Sequence, residues 1–208
     1  MNIAEVCRIA PVIPVLIVRD VHSAGALAKA LTAGGLRVLE VTLRTPDALD
    51  AIRAMIDAAP EAVVGAGTLL GPADVQAAKA AGAAFGVSPG ATDRILNAAQ
   101  DADLPMLPGV ATPTEAMRAA ERGLEVLKFF PAEANGGAEA LASWASPLQR
   151  LRFCPTGGVT AQNAARYLAL PNVLCVGGSW VAPADAVAAG DWARIVALAR
   201  EAAGLGRG

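Results

Sequence analysis

Short apolar or β-branched runs recur roughly every 20–26 residues, at Val12–Val18, Val38–Leu43, Ala62–Ala66, Ala83–Val87, Leu104–Leu107, Val126–Phe130, Leu151–Pro155 and Val173–Val176. That spacing leaves room for one strand, one helix and two loops per unit. The segments between the runs are rich in Ala and Leu at helical spacing. Several open on start signals: Thr45-Pro46-Asp47, Gly71-Pro72-Ala73-Asp74, Thr92-Asp93, Thr112-Pro113-Thr114-Glu115 and Thr160-Ala161-Gln162-Asn163. Ser, Thr or Asp ahead of a first-turn proline is how helices begin. Glycines such as Gly34-Gly35, Gly82 and Gly123 stand where helices are expected to end. Strict β-α alternation implies parallel strands joined by right-handed crossovers. The pattern therefore predicts an α/β chain folded as a compact (β/α)8 TIM barrel, one domain over residues 1–208. A short helix over residues 1–10 precedes the first strand, and the tail Gly204–Gly208 is expected to fray. An open doubly wound sheet is the alternative. Its dinucleotide fingerprint is missing, because Gly65-Ala66-Gly67 is followed by Leu at position 70.

Two runs break their own apolar pattern. In the second, Leu39, Val41 and Leu43 alternate with Glu40, Thr42 and Arg44. Period 2 directs the first set toward the helices and the second toward the barrel interior. Interior charges are costly unless they pair or act, so Glu40 and Arg44 are either a structural brace or part of a site.

The sixth run carries Lys128 between large apolar residues, with Val126 and Phe130 on the same face. Only three of the seventeen cationic residues are lysines, and the other two, Lys29 and Lys79, fall in Ala-rich helical segments. Lysine is almost never buried without cause. A nucleophilic amine supplies one: only the neutral form attacks a carbonyl, and burial together with a neighbouring cation such as Arg44 favours it. A lysine resting neutral weighs against folding at neutral pH, so Lys128→Met is expected to leave the fold as stable or more so. The competing reading is an ion pair with Glu40.

Composition narrows the chemistry. The chain is 54% hydrophobic and 17% charged, and its longest apolar run, Pro11–Val18, contains two prolines. A membrane span needs about 20 apolar residues, and the first residues lack the order of a signal peptide, so a cytoplasmic location is expected. A net charge of −2 with no basic stretch argues against nucleic acid. Cys7, Cys154 and Cys175 lack metal spacing and are expected to be reduced, buried thiols. A single histidine, His22, makes a metal site or a Ser-His-Asp triad unpromising; it reads as a helix-start residue.

Anion capture then falls to local features. Thr156-Gly157-Gly158-Val159-Thr160 follows the seventh run and is expected to open a helix, and Gly177-Gly178-Ser179 follows the eighth. In TIM barrels these two loops commonly form a phosphate site, since glycine lets backbone N–H groups approach the oxyanion closely. Tight turns at barrel corners are the plainer alternative.

Gly35–Thr45, Gly65-Ala66-Gly67-Thr68, Ser88-Pro89-Gly90, Lys128-Phe129-Phe130-Pro131-Ala132 and Cys154-Pro155-Thr156-Gly157-Gly158 closely resemble the class I 2-keto-3-deoxy-6-phosphogluconate / 4-hydroxy-2-oxoglutarate aldolases of the Entner–Doudoroff pathway. The likeness runs from about residue 10 to 200. It implies a metal-independent lyase without organic cofactor, in which Lys128 forms the Schiff base and Glu40 is the general acid/base. Arg44 and Thr68 would hold the pyruvate carboxylate, Pro89 and Phe130 would pack about the pyruvyl group, and Thr156 would contact the substrate. Gly157, Gly158 and Ser179 would bind the phosphate. The resemblance further implies a homotrimer acting on a small keto acid, with the galactonate epimer as an alternative substrate. A phosphate-binding isomerase or epimerase would share the glycine loops without needing Lys128. A catalytically silent scaffold would not need Lys128, Glu40, Arg44 and Thr68 together. A metal-dependent aldolase is weakened by the lone histidine.

Overall fold

The expected alternation of strand and helix holds along most of the chain. The structure, a computed structural model, describes residues 1–206. Among them the order is α1 (Ile3–Ile9), β1 (Val12–Leu16), α2 (Val21–Ala33), β2 (Val38–Thr42), α3 (Ala48–Ala58), β3 (Val63–Gly67), α4 (Pro72–Ala80), β4 (Gly86–Val87), α5 (Asp93–Asp101), β5 (Met106–Leu107), β6 (Gly109–Val110), α6 (Pro113–Glu121) and β7 (Val126–Phe129). A 3-10 turn at Glu133–Asn135 leads to α7 (Gly137–Trp144), β8 (Arg152–Pro155), α8 (Ala164–Leu168), β9 (Val176–Gly178), α9 (Ala184–Ala189) and α10 (Trp192–Ala203). Gly204 caps α10; of the tail expected to fray, residues 207 and 208 lie outside the described residues.

The strands pair in parallel. They form two hydrogen-bonded sets, β5-β4-β3-β2-β1-β9 and β6-β7-β8, where eight strands of one barrel were expected. The break falls just past the fifth expected strand, where Pro108, which brings no N–H to a ladder, separates β5 from the unexpected β6. Isolated parallel bridges, Phe153↔Val173 and Thr156↔Gly177, connect the second set toward β9. The result is an α/β fold around a curled parallel sheet. Its curl is deep enough for side chains on β2 and β7, in different sets, to meet.

Helix starts follow the sequence signals with one exception. Thr92 accepts from Ile95 N at 3.4 Å, and Thr112 and Glu115 form a capping box on α6. His22 lies in the first turn of α2, its N–H donating to Asp20. The helix expected to open at Thr160 starts instead at Ala164, because the Asn163 side chain binds back to the loop before it.

Two apolar layers hold the sheet. On the convex side Leu39, Val41, Leu127, Phe129 and Phe153 pack against the helices. Trp144 of α7 meets Phe129 and Phe153 edge-on at 5.1 and 5.6 Å. Full burial of such a side chain contributes roughly 1.5–3 kcal/mol. On the concave side Ile13, Val38, Phe85, Val126, Cys154 and Cys175 cluster with Val6 and Cys7 of α1. The expected N-terminal helix thus plugs the end where the strands begin, held by an Asn2–Glu5 capping box. All three thiols are free and buried. Contact with Cys154 and Cys7, and then burial, keeps the Cys175 thiol well above its usual range. Among the described residues no helix is long and apolar enough to cross a membrane.

Candidate active site

Polar residues of the concave side stand one pleat beyond the apolar plug. Strand side chains alternate with period 2, so Val38 of the plug is followed by Glu40, Val126 by Lys128, Cys154 by Thr156 and Cys175 by Gly177. The pleat that builds the plug therefore also aims the site. Glu40, Lys128 and Thr156 are all buried.

Lys128 Nζ donates to Glu40 Oε1 at 3.3 Å, with side-chain exposures of 5% and 3%. Such a pair is tolerated because each charge offsets the other's desolvation. Nζ also stands 5.1 Å from the centroid of the Phe130 ring. The amine's close partner is thus a carboxylate and not a guanidinium. Arg44 was expected to neighbour Lys128 or to brace Glu40. It is exposed instead, and its Nε donates to Thr68 Oγ1 at 3.0 Å. The register explains this: Arg44 lies past the end of β2, beyond the last ladder pair Thr42↔Gly67. Thr68 holds φ at 61°, the left-handed region in which a β-branched residue is an outlier. Strain of that kind is stored where a site needs it. Here it sets Thr68 Oγ1 against Arg44 at the rim.

Glycines make the room. A methyl group at Gly67 would lie 2.7 Å from Glu40 Cγ, and one at Gly177 would lie 3.0 Å from Thr156 Cγ2. The sequence pattern missed both packing roles, because along the chain Gly67 marks an incomplete nucleotide fingerprint and a family-like block, and Gly177 an anion loop, with no sign of the side chain each one faces. Thr156 Oγ1 donates to Cys154 O at 3.4 Å.

The remaining predicted residues lie around the rim. Pro89 is exposed in the turn after β4, where Ser88 Oγ donates to Gly90 O at 2.6 Å. Gly157 packs near Phe130 and Pro131, a Cβ there reaching Phe130 Cδ2 at 3.3 Å. Gly157 and Gly158 hold φ at 96° and 80°. Ser179 is exposed after β9 and borders a cavity of about 840 Å³ that runs past Val15, Ile17, Arg19, Trp180 and Trp192. That cavity does not reach Lys128. The glycine loop does not sit on a helix N-terminus as expected, since α8 begins only at Ala164. Its free N–H groups come from the loop itself. No group of His, Cys, Asp and Glu able to hold a metal occurs among the described residues.

The family model "Aldolase: KDPG and KHG aldolase" matches residues 3–198. The KHG/KDPG aldolase of Escherichia coli K12 is 54% identical over 192 residues, covering 92% of this chain and 90% of that one. The 2-keto-3-deoxy-6-phosphogluconate aldolase structure from Zymomonas mobilis superposes with a TM-score of 0.94 at 50% identity, covering 100% and 98% of the two chains. A Legionella pneumophila KDPG aldolase, solved with pyruvate captured as a covalent carbinolamine, gives a TM-score of 0.95 at 42% identity, with 98% of both chains covered.

Proposed function

Because the chain belongs to the KDPG and KHG aldolase family of lyases, we propose that it cleaves 2-dehydro-3-deoxy-6-phosphogluconate to pyruvate and glyceraldehyde 3-phosphate through a Schiff base on Lys128. One observation carries this reading: a buried amine and carboxylate 3.3 Å apart on facing strands, a hydrogen bond of the length usual before substrate tightens a site.

Glu40 takes a proton from Lys128, and the neutral amine attacks C2 of the keto acid. Glu40 returns the proton as the carbinolamine loses water to give the iminium. Arg44 and Thr68 hold the carboxylate, with Pro89 and Phe130 about the pyruvyl group and Thr156 against the substrate. Glu40 then takes the C4 hydroxyl proton, the C3–C4 bond breaks, and its electron pair passes into the iminium. Glyceraldehyde 3-phosphate leaves, its phosphate released from Gly157, Gly158 and Ser179. The enamine is protonated at C3, and water hydrolyses the resulting iminium to pyruvate and free Lys128. No metal or organic cofactor enters these steps. By the same chemistry 4-hydroxy-2-oxoglutarate gives pyruvate and glyoxylate.

Treating the protein with pyruvate and borohydride tests the assignment. One adduct per chain is expected, on Lys128; an adduct mapped to Lys29 or Lys79 overturns it. Kinetics on the gluconate substrate and its galactonate epimer test the preference at C4, where the gluconate is expected to be faster.

We further propose one domain, with the two strand sets closing as a (β/α)8 barrel across the Thr156↔Gly177 bridge and the chain continuity at Pro108. The homotrimeric assembly rests on family resemblance, and light scattering tests it. A cytoplasmic location accords with three free thiols packed near one another.

A further inference from the structure

Taking the Gly157-Gly158 loop as the phosphate site, we propose that Asn163 and the Glu133–Tyr167 pair are positioning residues that clamp this loop from two sides and turn its free N–H groups toward the ligand. Three successive carbonyls of the loop are tied back into the protein. Thr156 O accepts from Ala132 N at 2.8 Å, and Gly157 O accepts from Glu133 N at 3.1 Å. Gly158 O accepts from the Asn163 side-chain Nδ2 at 3.1 Å. Across a planar trans peptide the C=O and the following N–H point in opposite directions. The first tie directs the Gly157 N–H sideways toward β9, and tying the carbonyls of Gly157 and Gly158 inward turns the N–H groups of Gly158 and Val159 outward. Neither donates to a protein acceptor among the described residues, whereas the Gly157 N–H faces β9 in the Thr156↔Gly177 bridge. Successive N–H groups held in this way form an anion-binding concavity.

The clamp has two independent arms. Asn163 bridges the loop, its Oδ1 accepting from Thr160 N at 2.7 Å while its Nδ2 holds Gly158 O. On the other side the Glu133 stem packs against Gly158, where a Cβ would lie 2.6 Å from Glu133 Cγ. Its carboxylate is fixed by the hydroxyl of Tyr167, which donates to Glu133 Oε1 from a ring that is 1% exposed. A carboxylate beside a phosphate site repels the ligand unless it is held aside, and the Tyr167 tether does that. Burial first, and then the Glu133 carboxylate, pushes the Tyr167 hydroxyl well above its usual value, so it remains a donor across the working pH range. Asn163 reads along the chain as a helix-start residue.

The test compares Asn163→Ala and Tyr167→Phe with the parent enzyme on the phosphorylated substrate and on 4-hydroxy-2-oxoglutarate, with inorganic phosphate as inhibitor. The loss of one or two hydrogen bonds predicts that Asn163→Ala raises KM for the phosphorylated substrate, and the phosphate inhibition constant, by about tenfold. Tyr167→Phe keeps the buried ring and should raise both by roughly three- to fivefold. Turnover of 4-hydroxy-2-oxoglutarate should stay within about twofold, a readout that general loosening of the fold would not spare. Equal losses on both substrates, or no loss on either, overturn the proposal while leaving the phosphate site standing. If phosphate fails to compete in the parent enzyme, the phosphate reading of the loop fails, and this inference with it.

Discussion

Gly67 stands against the Glu40 carboxylate with no space between them: a methyl group at Gly67 would lie 2.7 Å from Glu40 Cγ and 2.9 Å from Cδ. Real Cβ atoms do not approach so closely, and Glu40 is buried and engaged with Lys128. The residue proposed to move protons is thus shaped by a glycine on the neighbouring strand.

Gly67→Ala should therefore displace the carboxylate and act like its removal. Turnover should fall toward that of Glu40→Gln, for which loss of general acid–base help predicts about 10²–10⁴-fold. Steady-state assays of the two variants side by side check this. A Gly67→Ala enzyme with near-parent turnover would mean that the carboxylate has another place from which to work.

Lys128→Met bears on the resting state of the site. A lysine resting neutral would make methionine neutral or stabilising, as the sequence alone suggests. The ion pair at 3.3 Å reverses the sign, because Met leaves Glu40 buried without its cation. Removing one partner of a buried pair costs about 3–5 kcal/mol. For a chain of this length that corresponds to a melting temperature lower by on the order of 10 °C. Removing both charges, in Lys128→Met with Glu40→Leu, should recover most of the loss. An equal or higher melting temperature for Lys128→Met alone would restore the neutral-lysine reading.

The acid limb of stability offers a check away from the site. Glu115 is held below the usual carboxylate range, first by the Ala111 N–H, with Thr112 and Arg118 assisting against the opposing effect of burial. The N–H groups of Ala111 and Thr112 reach Oε2 at 2.7 and 2.9 Å. A depressed folded value means that the contribution is fully present above the unfolded value of ~4.3. It is lost as pH falls through the lower folded value. Glu115→Gln should lower the melting temperature at pH 7 but matter progressively less below about pH 4. A deficit that does not depend on pH would assign the effect to packing at the start of α6.

Local chemistry alone made much of this protein legible. Periodicity located most of the strands, because a strand buried on both faces is apolar along its whole length whatever its neighbours, although β6 went unmarked and the eighth run meets β9 only at Val176. Capping signals located most helices, because caps act within one turn. Lys128 and Glu40 were visible as charges breaking an apolar strand pattern, and a charge out of place can be recognised without coordinates. What the sequence left undetermined depended on which strands face each other. The partner of Lys128 proved to be Glu40 and not Arg44, since sheet curl and ladder register set that distance and neither is written locally. The same holds for Gly67 beside Glu40 and for Asn163 bound back to Gly158, which are contacts of space and not of pattern. Pro108 shows a further limit: β5 ends where the fifth apolar run ends, but past that single residue lacking an N–H the chain resumes as β6, a strand the pattern did not mark.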